Sequence, residues 1–230
     1  MHLAALAEAL PLAARVAQLS APSRTCILKL IPTVDVVASG VDEAAAIASK
    51  LGLKVLGKAT RSSPVGKGEP LLELEGCSRT LLLIEPAIRL MTARACSIAT
   101  KVRSAAAKLA PSAIAVPLQV PCKLYELECR AVEDGGGLGF RGNVAFISTL
   151  HSRLSGGLRR ACERAQLARQ LSLKVAVEAS SMREALEAAD LADIIVVRSV
   201  ELAEAVVEYL RGSRRPLIEL QVDALSEAEA

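Results

Sequence analysis

The sequence predicts an α/β protein: an N-terminal α/β sandwich domain followed by a parallel, open or incomplete α/β barrel. In the second half, short apolar runs alternate with helical patterns, which is typical of βα units that build a parallel sheet. These runs are apolar throughout, as expected for strands covered on both faces. The first half mixes β-type runs, turns and one long helical pattern. We therefore predict two domains, at residues 1–110 and 111–230.

The first domain is predicted from patterns that follow one another closely. An amphipathic helix near residues 2–19 precedes β-type runs at 25–31 and 33–40. The next segment, "DEAAAIASKLG", predicts a helix with Asp42 as its N-cap and Gly52 just past its end. Two further strand-like runs lie at 53–59 and 70–76, separated by a turn-rich connection. A long helical pattern, kinked or broken at Pro86, then extends from Ser78 to the predicted boundary.

The second domain is predicted as five strands with helices between them. The strands are expected at 113–120, 143–148, 173–179, 192–199 and 216–222. The helices are expected at 123–134, 155–171, 181–189 and 200–212. Ser180 or Ser181, and Ser199, are the predicted helix starts. They follow the carboxyl ends of strands, where α/β barrels place their sites.

Composition excludes several classes of function. Apolar residues make up 52% of the chain and aromatic residues only 2%, so the core must consist of Ala, Leu, Val and Ile. No apolar run reaches the roughly 20 residues that a membrane span needs. The amino-terminal segment carries Glu8 and resembles an amphipathic helix more than a signal peptide, which predicts a cytoplasmic protein without a membrane partner. The net charge of +3 comes from interspersed charges, so we predict no nucleic-acid partner.

The cysteines do not indicate a metal centre. The chain has six, without a Cys-x-x-Cys pair and with only two histidines in the whole sequence. Zinc sites combine closely spaced Cys and His ligands. We therefore predict free, mostly buried thiols and no structural metal.

Five segments of the chain, taken in order, resemble one known family. They are "GVDEAAAIASKLGLKV", "SPVGKGEPLLELEG", "SRTLLLIEPAIRLMTARACSIATKV", "ELECRAVEDGGG" and "KVAVEASSMREALEAADLADIIVVRSV". The order is similar to that in quinolinate phosphoribosyltransferase, also called nicotinate-nucleotide pyrophosphorylase. The resemblance implies a glycosyltransferase of NAD biosynthesis that transfers phosphoribose from phosphoribosyl pyrophosphate to quinolinate, with loss of carbon dioxide. It also implies Mg²⁺ as the cofactor of an active chain, and an oligomer.

The chain departs from the motifs that the resemblance implies for the site. The family's Thr-Arg-Lys motif matches Val116–Leu118, where none of the three residues agrees. Its two histidines followed by arginine match Leu138–Arg141, where only Arg141 agrees, and its Lys-Asp-Asn-His motif matches Ser148–His151, where only His151 agrees. One of two expected glutamates is Ala176 and the other is Glu178, while Arg198 replaces an aspartate. In the family, an arginine of the helix after "LLELEG" contributes to the site of the partner subunit, and the matching position here is Pro86. Because removing one electrostatic stabiliser costs roughly 10²–10³ in rate, we predict an impaired or inactive transferase.

The remaining candidates each have a functional and a structural interpretation. Glu178 is the candidate catalytic residue. The candidate ligands for an anionic substrate such as phosphoribosyl pyrophosphate are Arg141, Gly135, Gly136, Gly137, His151 and Arg198. Structurally, the glycines would end a helix, His151 would cap one, and Glu178 would form an ion pair with Arg198. The alternative function is a non-catalytic structural or regulatory subunit, in a heteromer with an intact homologue instead of a homodimer.

Overall fold

The computed structural model describes residues 21–116, 125–139, 142–171 (168 and 169 by backbone only), 173–211 and 216–222. Packing divides these residues into two units, the first including residues up to 116 and 125–139, and the second beginning at residue 142. The helix predicted near residues 2–19 lies outside the described residues. None of the described helices is long and apolar enough to cross a membrane.

An antiparallel sheet of three strands forms one layer of the first unit. Its strands are β1 (Thr25–Leu30), β3 (Lys54–Lys58) and β5 (Leu72–Cys77), in the order β1-β5-β3. The short strands β2 (Val36–Val37) and β4 (Pro64–Val65) pair separately. Side chains alternate along β5, so that Leu72 and Leu74 are fully buried under the helices.

Helix α1 (Val41–Lys50) begins earlier than predicted. Gly40 is its N-cap, so the prediction of Asp42 as the cap is wrong. Gly40 has a φ of 73°, and a Cβ there would approach Ala95 Cβ to 2.9 Å. Only glycine fits this position, because the next helix passes so close. Asp42 lies in the first turn instead, where its charge favours the helix dipole and it pairs with Lys58.

Helix α2 (Ser78–Leu109) is 32 residues long and is the central helix of the first unit. It continues through Pro86, so the helix is not broken there, and the alternative of a kink stays a prediction. Ile84 and Ile88 are buried on either side of the proline in the same apolar cluster. We attribute the continuity to this burial, which offsets the hydrogen bond that proline cannot make.

Helix α3 (Tyr125–Asp134) packs on α2, with Cys129 and Val132 against Val102. This packing places α3 in the first unit. Of the predicted strand at 113–120, the described part makes only an isolated bridge between Ala115 and Leu138.

The end of α3 is fixed by a buried carboxylate. Asp134 is only 2% exposed. Ser39 Oγ donates to its Oδ2 at 2.7 Å, and Ser62 Oγ donates to its Oδ1 at 3.0 Å. Arg61 Nε also donates to Oδ1 and supplies the compensating charge. Ser62 has a φ of 64°, which is uncommon outside glycine, so the contact with Asp134 helps to hold a strained turn.

A parallel sheet of four strands forms the second unit. The order is β6 (Val144–Ile147), β7 (Lys174–Glu178), β8 (Ile194–Val197) and β9 (Leu217–Leu220). The helices between them are α4 (Thr149–Ser155), α5 (Leu158–Gln170), α6 (Met182–Ala189) and α7 (Val200–Tyr209). Val177 and Ile195 belong to a buried cluster with Cys162 and Val206 from these helices. The described strands do not close into a barrel, in agreement with the predicted open or incomplete form.

We expect Asp134→Ala to lower the free energy of unfolding by about 2 kcal/mol, because it leaves the buried hydroxyl of Ser39 without its acceptor and removes the charged partner of Arg61. Circular dichroism during urea unfolding is the suitable measurement, since the chain has no tryptophan. The control is Glu75→Ala, which breaks the exposed pair with Lys54 and should cost less than about 1 kcal/mol. Equal losses in both variants would contradict a special role for Asp134.

Candidate functional site

The candidate site lies at the carboxyl edge of the parallel sheet. Strand β7 ends at Glu178, Arg198 follows β8, and Ser148 follows β6. Because the three strands are parallel and adjacent, these residues meet at one edge. The structure therefore brings together Glu178, Arg198 and the start of α4, which carries His151.

Glu178 is held by two different donors. Its side chain is nearly buried, the whole residue being 8% exposed. Arg198 Nε donates to Oε1 at 2.8 Å, and the backbone N–H of Thr149 donates to Oε2 at 3.0 Å. The predicted ion pair between Glu178 and Arg198 is thus present. Each carboxylate oxygen already accepts a hydrogen bond from within the chain.

These contacts decide the ionisation of Glu178. Burial raises the pKa of the carboxyl, but the hydrogen bonds from Thr149 and Arg198 outweigh it and leave the pKa lowered. The group therefore stays ionised at neutral pH. A general acid has to hold a proton near the working pH, so Glu178 in this arrangement does not fit that role.

His151 caps its own helix. The backbone N–H of Ser148 donates to His151 Nδ1 at 3.2 Å, and Ser148 Oγ lies 2.8 Å from the same nitrogen. This is the structural alternative foreseen for His151, and its role as a substrate ligand remains a prediction. The predicted helix starts are confirmed, since Ser181 Oγ and Ser199 Oγ accept from the backbone N–H groups of Glu184 and Leu202.

The triple glycine belongs to the first unit and ends helix α3. Gly136 donates its N–H to Glu133 O and Gly137 donates to Val132 O, both at 2.9 Å, as in a Schellman motif. Gly135 donates to Ala131 O at 3.1 Å. All three N–H groups are therefore engaged within the chain. An anion could use them only if this helix end opened, so the geometry favours the structural interpretation.

Close packing explains why glycine occupies two of these positions. A Cβ at Gly135 would lie 2.6 Å from Ala99 O on α2, and one at Gly137 would lie 2.8 Å from Ile114 O. The loop is packed tightly between α2 and the segment that follows α2 in the chain. Arg141, the other predicted anion ligand beside this loop, lies outside the described residues.

The remaining positions that the resemblance assigned to the site are apolar. Ala176, at one expected glutamate position, is fully buried and packs with Ile194 and Val196. Val116 is buried as well, whereas Pro117 and Leu118 lie outside the described residues. Among the described residues, no group of three or more His, Cys, Asp and Glu side chains is arranged to hold a metal ion.

One buried charged residue escaped the sequence analysis. Asp134 lies at the end of an amphipathic helix before three glycines, where a polar residue is ordinary. Its partner Arg61 is 73 residues away in the chain. No local pattern connects the two residues. The only available signal was an acidic residue at a helix carboxyl end, which the helix dipole disfavours unless a cation compensates it.

Comparisons with known proteins identify the fold. No family model and no curated protein matches the chain significantly by sequence. Nicotinate-nucleotide pyrophosphorylase from Francisella tularensis superposes with a TM-score of 0.78 and 19% identity, over 98% of this chain and 83% of that one. NadC from Streptococcus pyogenes gives 0.75 and 19%, over 99% and 84%. The Pyrococcus furiosus pyrophosphorylase gives 0.70 and 13%, over 100% and 69%.

These similarities confirm the fold that the sequence resemblance implied. The chain has the fold of the nicotinate-nucleotide pyrophosphorylases, with a small sheet domain followed by a parallel βα domain. At identities this low the similarity concerns architecture alone, because one fold supports many functions. Function has to be argued from the residues at the sheet edge.

The Glu178 contacts predict a specific dependence of stability on pH. Since the folded pKa is lowered, the ionised carboxylate stabilises the fold above the ordinary glutamate pKa of about 4.3. This contribution is lost as the pH falls through the folded pKa. At pH 7 we expect Glu178→Gln to lower the free energy of unfolding by about 1.5–3 kcal/mol.

Urea unfolding at several pH values tests this, with Glu163→Gln on the exposed surface of α5 as the control for loss of one charge. The difference between wild type and Glu178→Gln should shrink on acidification. A difference that grows towards acid pH would show that the carboxylate is not stabilised in its ionised form.

Proposed function

We propose that this protein is a diverged member of the quinolinate phosphoribosyltransferase family that has kept the fold but does not itself transfer phosphoribose. The observation that carries the proposal is the closed contact between Glu178 and Arg198. The resemblance implies a second carboxylate where Arg198 stands. Instead of two carboxylates, this site therefore holds an ion pair whose two charges neutralise each other.

The described residues at this edge do not fit Mg²⁺. This cation binds oxygen ligands in near-octahedral geometry, commonly one or two carboxylates together with substrate phosphates. Glu178 is the one buried carboxylate that the described strands place at this edge, and both of its oxygens accept hydrogen bonds. The guanidinium of Arg198 next to it would repel a divalent cation. We therefore derive no step of a reaction through a metal.

The described residues at this edge also offer few cations for the anionic substrates of the family. Phosphoribosyl pyrophosphate and quinolinate carry several negative charges, which call for clustered Arg, Lys or His side chains. At the described sheet edge, Arg198 uses its Nε on Glu178, and His151 uses its Nδ1 on Ser148. The terminal nitrogens of Arg198, whose side chain is half exposed, are what is left for a single anionic group.

We expect no formation of nicotinate mononucleotide from quinolinate and phosphoribosyl pyrophosphate in the presence of Mg²⁺. The purified full chain should come from a host lacking its own enzyme, so that any product reports on this chain. The intact enzyme from Francisella tularensis is the positive control. Product formation by the wild type that is lost in Glu178→Gln would overturn the proposal, because Glu178 would then serve the reaction.

A second candidate function is a non-catalytic structural or regulatory subunit that pairs with an intact homologue. Its support is the outer edge of β9, which among the described strands pairs with β8 alone. Leu217 on this strand is 61% exposed, and Leu220 is also exposed. Soluble proteins usually protect such an edge with charges or cover it. A groove beside the strand, lined by Leu210 and Pro216, extends the apolar surface.

We expect a tagged copy of this chain to co-purify with an intact homologue when the two are expressed together. Leu217→Lys should abolish the complex, because it places a charge in the middle of the apolar edge. The matched control is Leu56→Lys on β3 of the first unit, also at an exposed leucine. Absence of a complex, or equal binding by both variants, would count against the subunit role.

A further inference from the structure

Helix α5 exposes a stripe of arginines and leucines. Arg160, Arg164, Leu167 and Leu171 follow one another at spacings of four, three and four residues, which places them on one helix face. We call these four residues the basic stripe. Leu167 is 67% exposed and Leu171, just after the helix end, is 74% exposed. The opposite face of α5 is buried, so the stripe is the side directed away from the sheet.

The arginines of the basic stripe lack counter-charges. Among the described residues, neither Arg160 nor Arg164 takes part in an ion pair, whereas the neighbouring Arg159 reaches Glu187 on α6. No acidic residue lies in the first turn of α5. Arg160 stands in that turn, at the positive end of the helix dipole. A positive charge there is unfavourable unless an acidic group approaches from outside.

Helix α7 exposes a complementary stripe. Val200, Glu204 and Val207 are spaced by four and three residues, and Glu201 lies beside them. We call these four residues the acidic stripe. All four are exposed. Glu208, the next acidic residue on this helix, already pairs with Arg211 at 2.8 Å.

Both stripes place their charges before an apolar residue. In α5 the arginines precede the leucines. In α7 Glu201 and Glu204 precede Val207, and Val200 stands at the start of the stripe. Two such helices placed side by side in the same direction would bring arginine against glutamate and Leu167 against Val207. From the first charge to the last apolar residue, the basic stripe spans about 17 Å and the acidic stripe about 9 Å at 1.5 Å per residue.

The stripes of one chain do not meet each other. Helix α5 packs on β6 and β7, and α7 packs on β8 and β9 at the other end of the sheet. Helix α6 lies between them and contacts both. The complementary surfaces therefore point away from the two ends of one helical layer, and only a second molecule can bring them together.

We propose that the basic stripe of one copy binds the acidic stripe of a second copy, with α5 and α7 running in the same direction. The contact is heterologous, since different surfaces of the two copies meet, and it propagates into a ring or an open chain. Complementary charge gives such a contact its register and its partner choice. This self-association goes beyond the proposed function and does not depend on it.

A second copy fits the basic stripe better than other anionic partners. Nucleic acids and lipid surfaces are bound through extended sets of cations. Here two arginines are followed by two leucines, and the exposed Glu163 lies on the same helix. An acidic partner, with two glutamates followed by an exposed valine, is present within the chain itself. Binding of the purified chain to anionic vesicles or to DNA through Arg160 and Arg164 would overturn the proposal.

The experiment compares the molar mass of the full chain with that of two charge-reversed variants by light scattering. The first variant combines Arg160→Glu with Arg164→Glu, and the second combines Glu201→Lys with Glu204→Lys. We expect concentration-dependent association of the wild type that weakens with salt. Each variant should lower the association constant by about a hundredfold, because like charges then face each other. The control combines Lys101→Glu and Lys108→Glu on the exposed surface of α2.

Mixing the two variants gives the decisive result. Each brings the stripe that the other needs, so the mixture should associate although each variant alone does not. Unchanged circular dichroism spectra ensure that loss of association is not loss of folding. A wild type that is monomeric at every concentration, association insensitive to the reversals, or a mixture that stays monomeric would each overturn the proposal.

Discussion

A buried carboxylate has to be neutralised and hydrogen-bonded, and this constraint organises both units of the molecule. Asp134 and Glu178 are the two acidic residues buried in the described structure. Each receives an arginine through its Nε and further donors from residues distant in the chain. At Asp134 the contacts tie the end of α3 to the strained turn at Ser62. At Glu178 they connect β7, the residue after β8 and the start of α4. Both networks join segments that hydrophobic packing alone would hold less specifically.

The need to neutralise charged groups also bears on the proposed function. A site for polyanionic substrates keeps its charges unpaired until the ligand arrives, and it loses stability for doing so. The edge of the parallel sheet in this chain is arranged in the opposite way. Glu178 and Arg198 satisfy each other, His151 completes the cap of α4, and the glycine N–H groups complete the end of α3. These contacts stabilise the resting structure, and they are the physical support for the proposed loss of transferase activity.

The predictable parts of the structure are those that local sequence patterns determine. The four described strands of the parallel sheet and the starts of α6 and α7 follow from apolar runs and from serines placed just after them. The ion pair of Glu178 with Arg198 followed from the order of adjacent strands. Three features did not follow from local patterns: the beginning of α1 at Gly40, the continuity of α2 through Pro86 and the partner of Asp134. Each depends on a packing neighbour far away in sequence. A helix start or a buried charge is decided by its tertiary contacts whenever these outweigh the local preference.

Fold and site diverge at different rates for a physical reason. The core of this chain is made of aliphatic residues whose exact identity matters little as long as volume and pattern are kept, so the architecture superposes at 13% to 19% identity. A catalytic site depends on individual functional groups, and an arginine at a position where the resemblance implies an aspartate, as proposed for Arg198, reverses a charge. The outer surfaces of the helices are freer still, since folding requires little of them beyond polarity. Two such surfaces that carry opposite charges beside exposed apolar residues are therefore not explained by the fold, and association is the role that this surface chemistry supports.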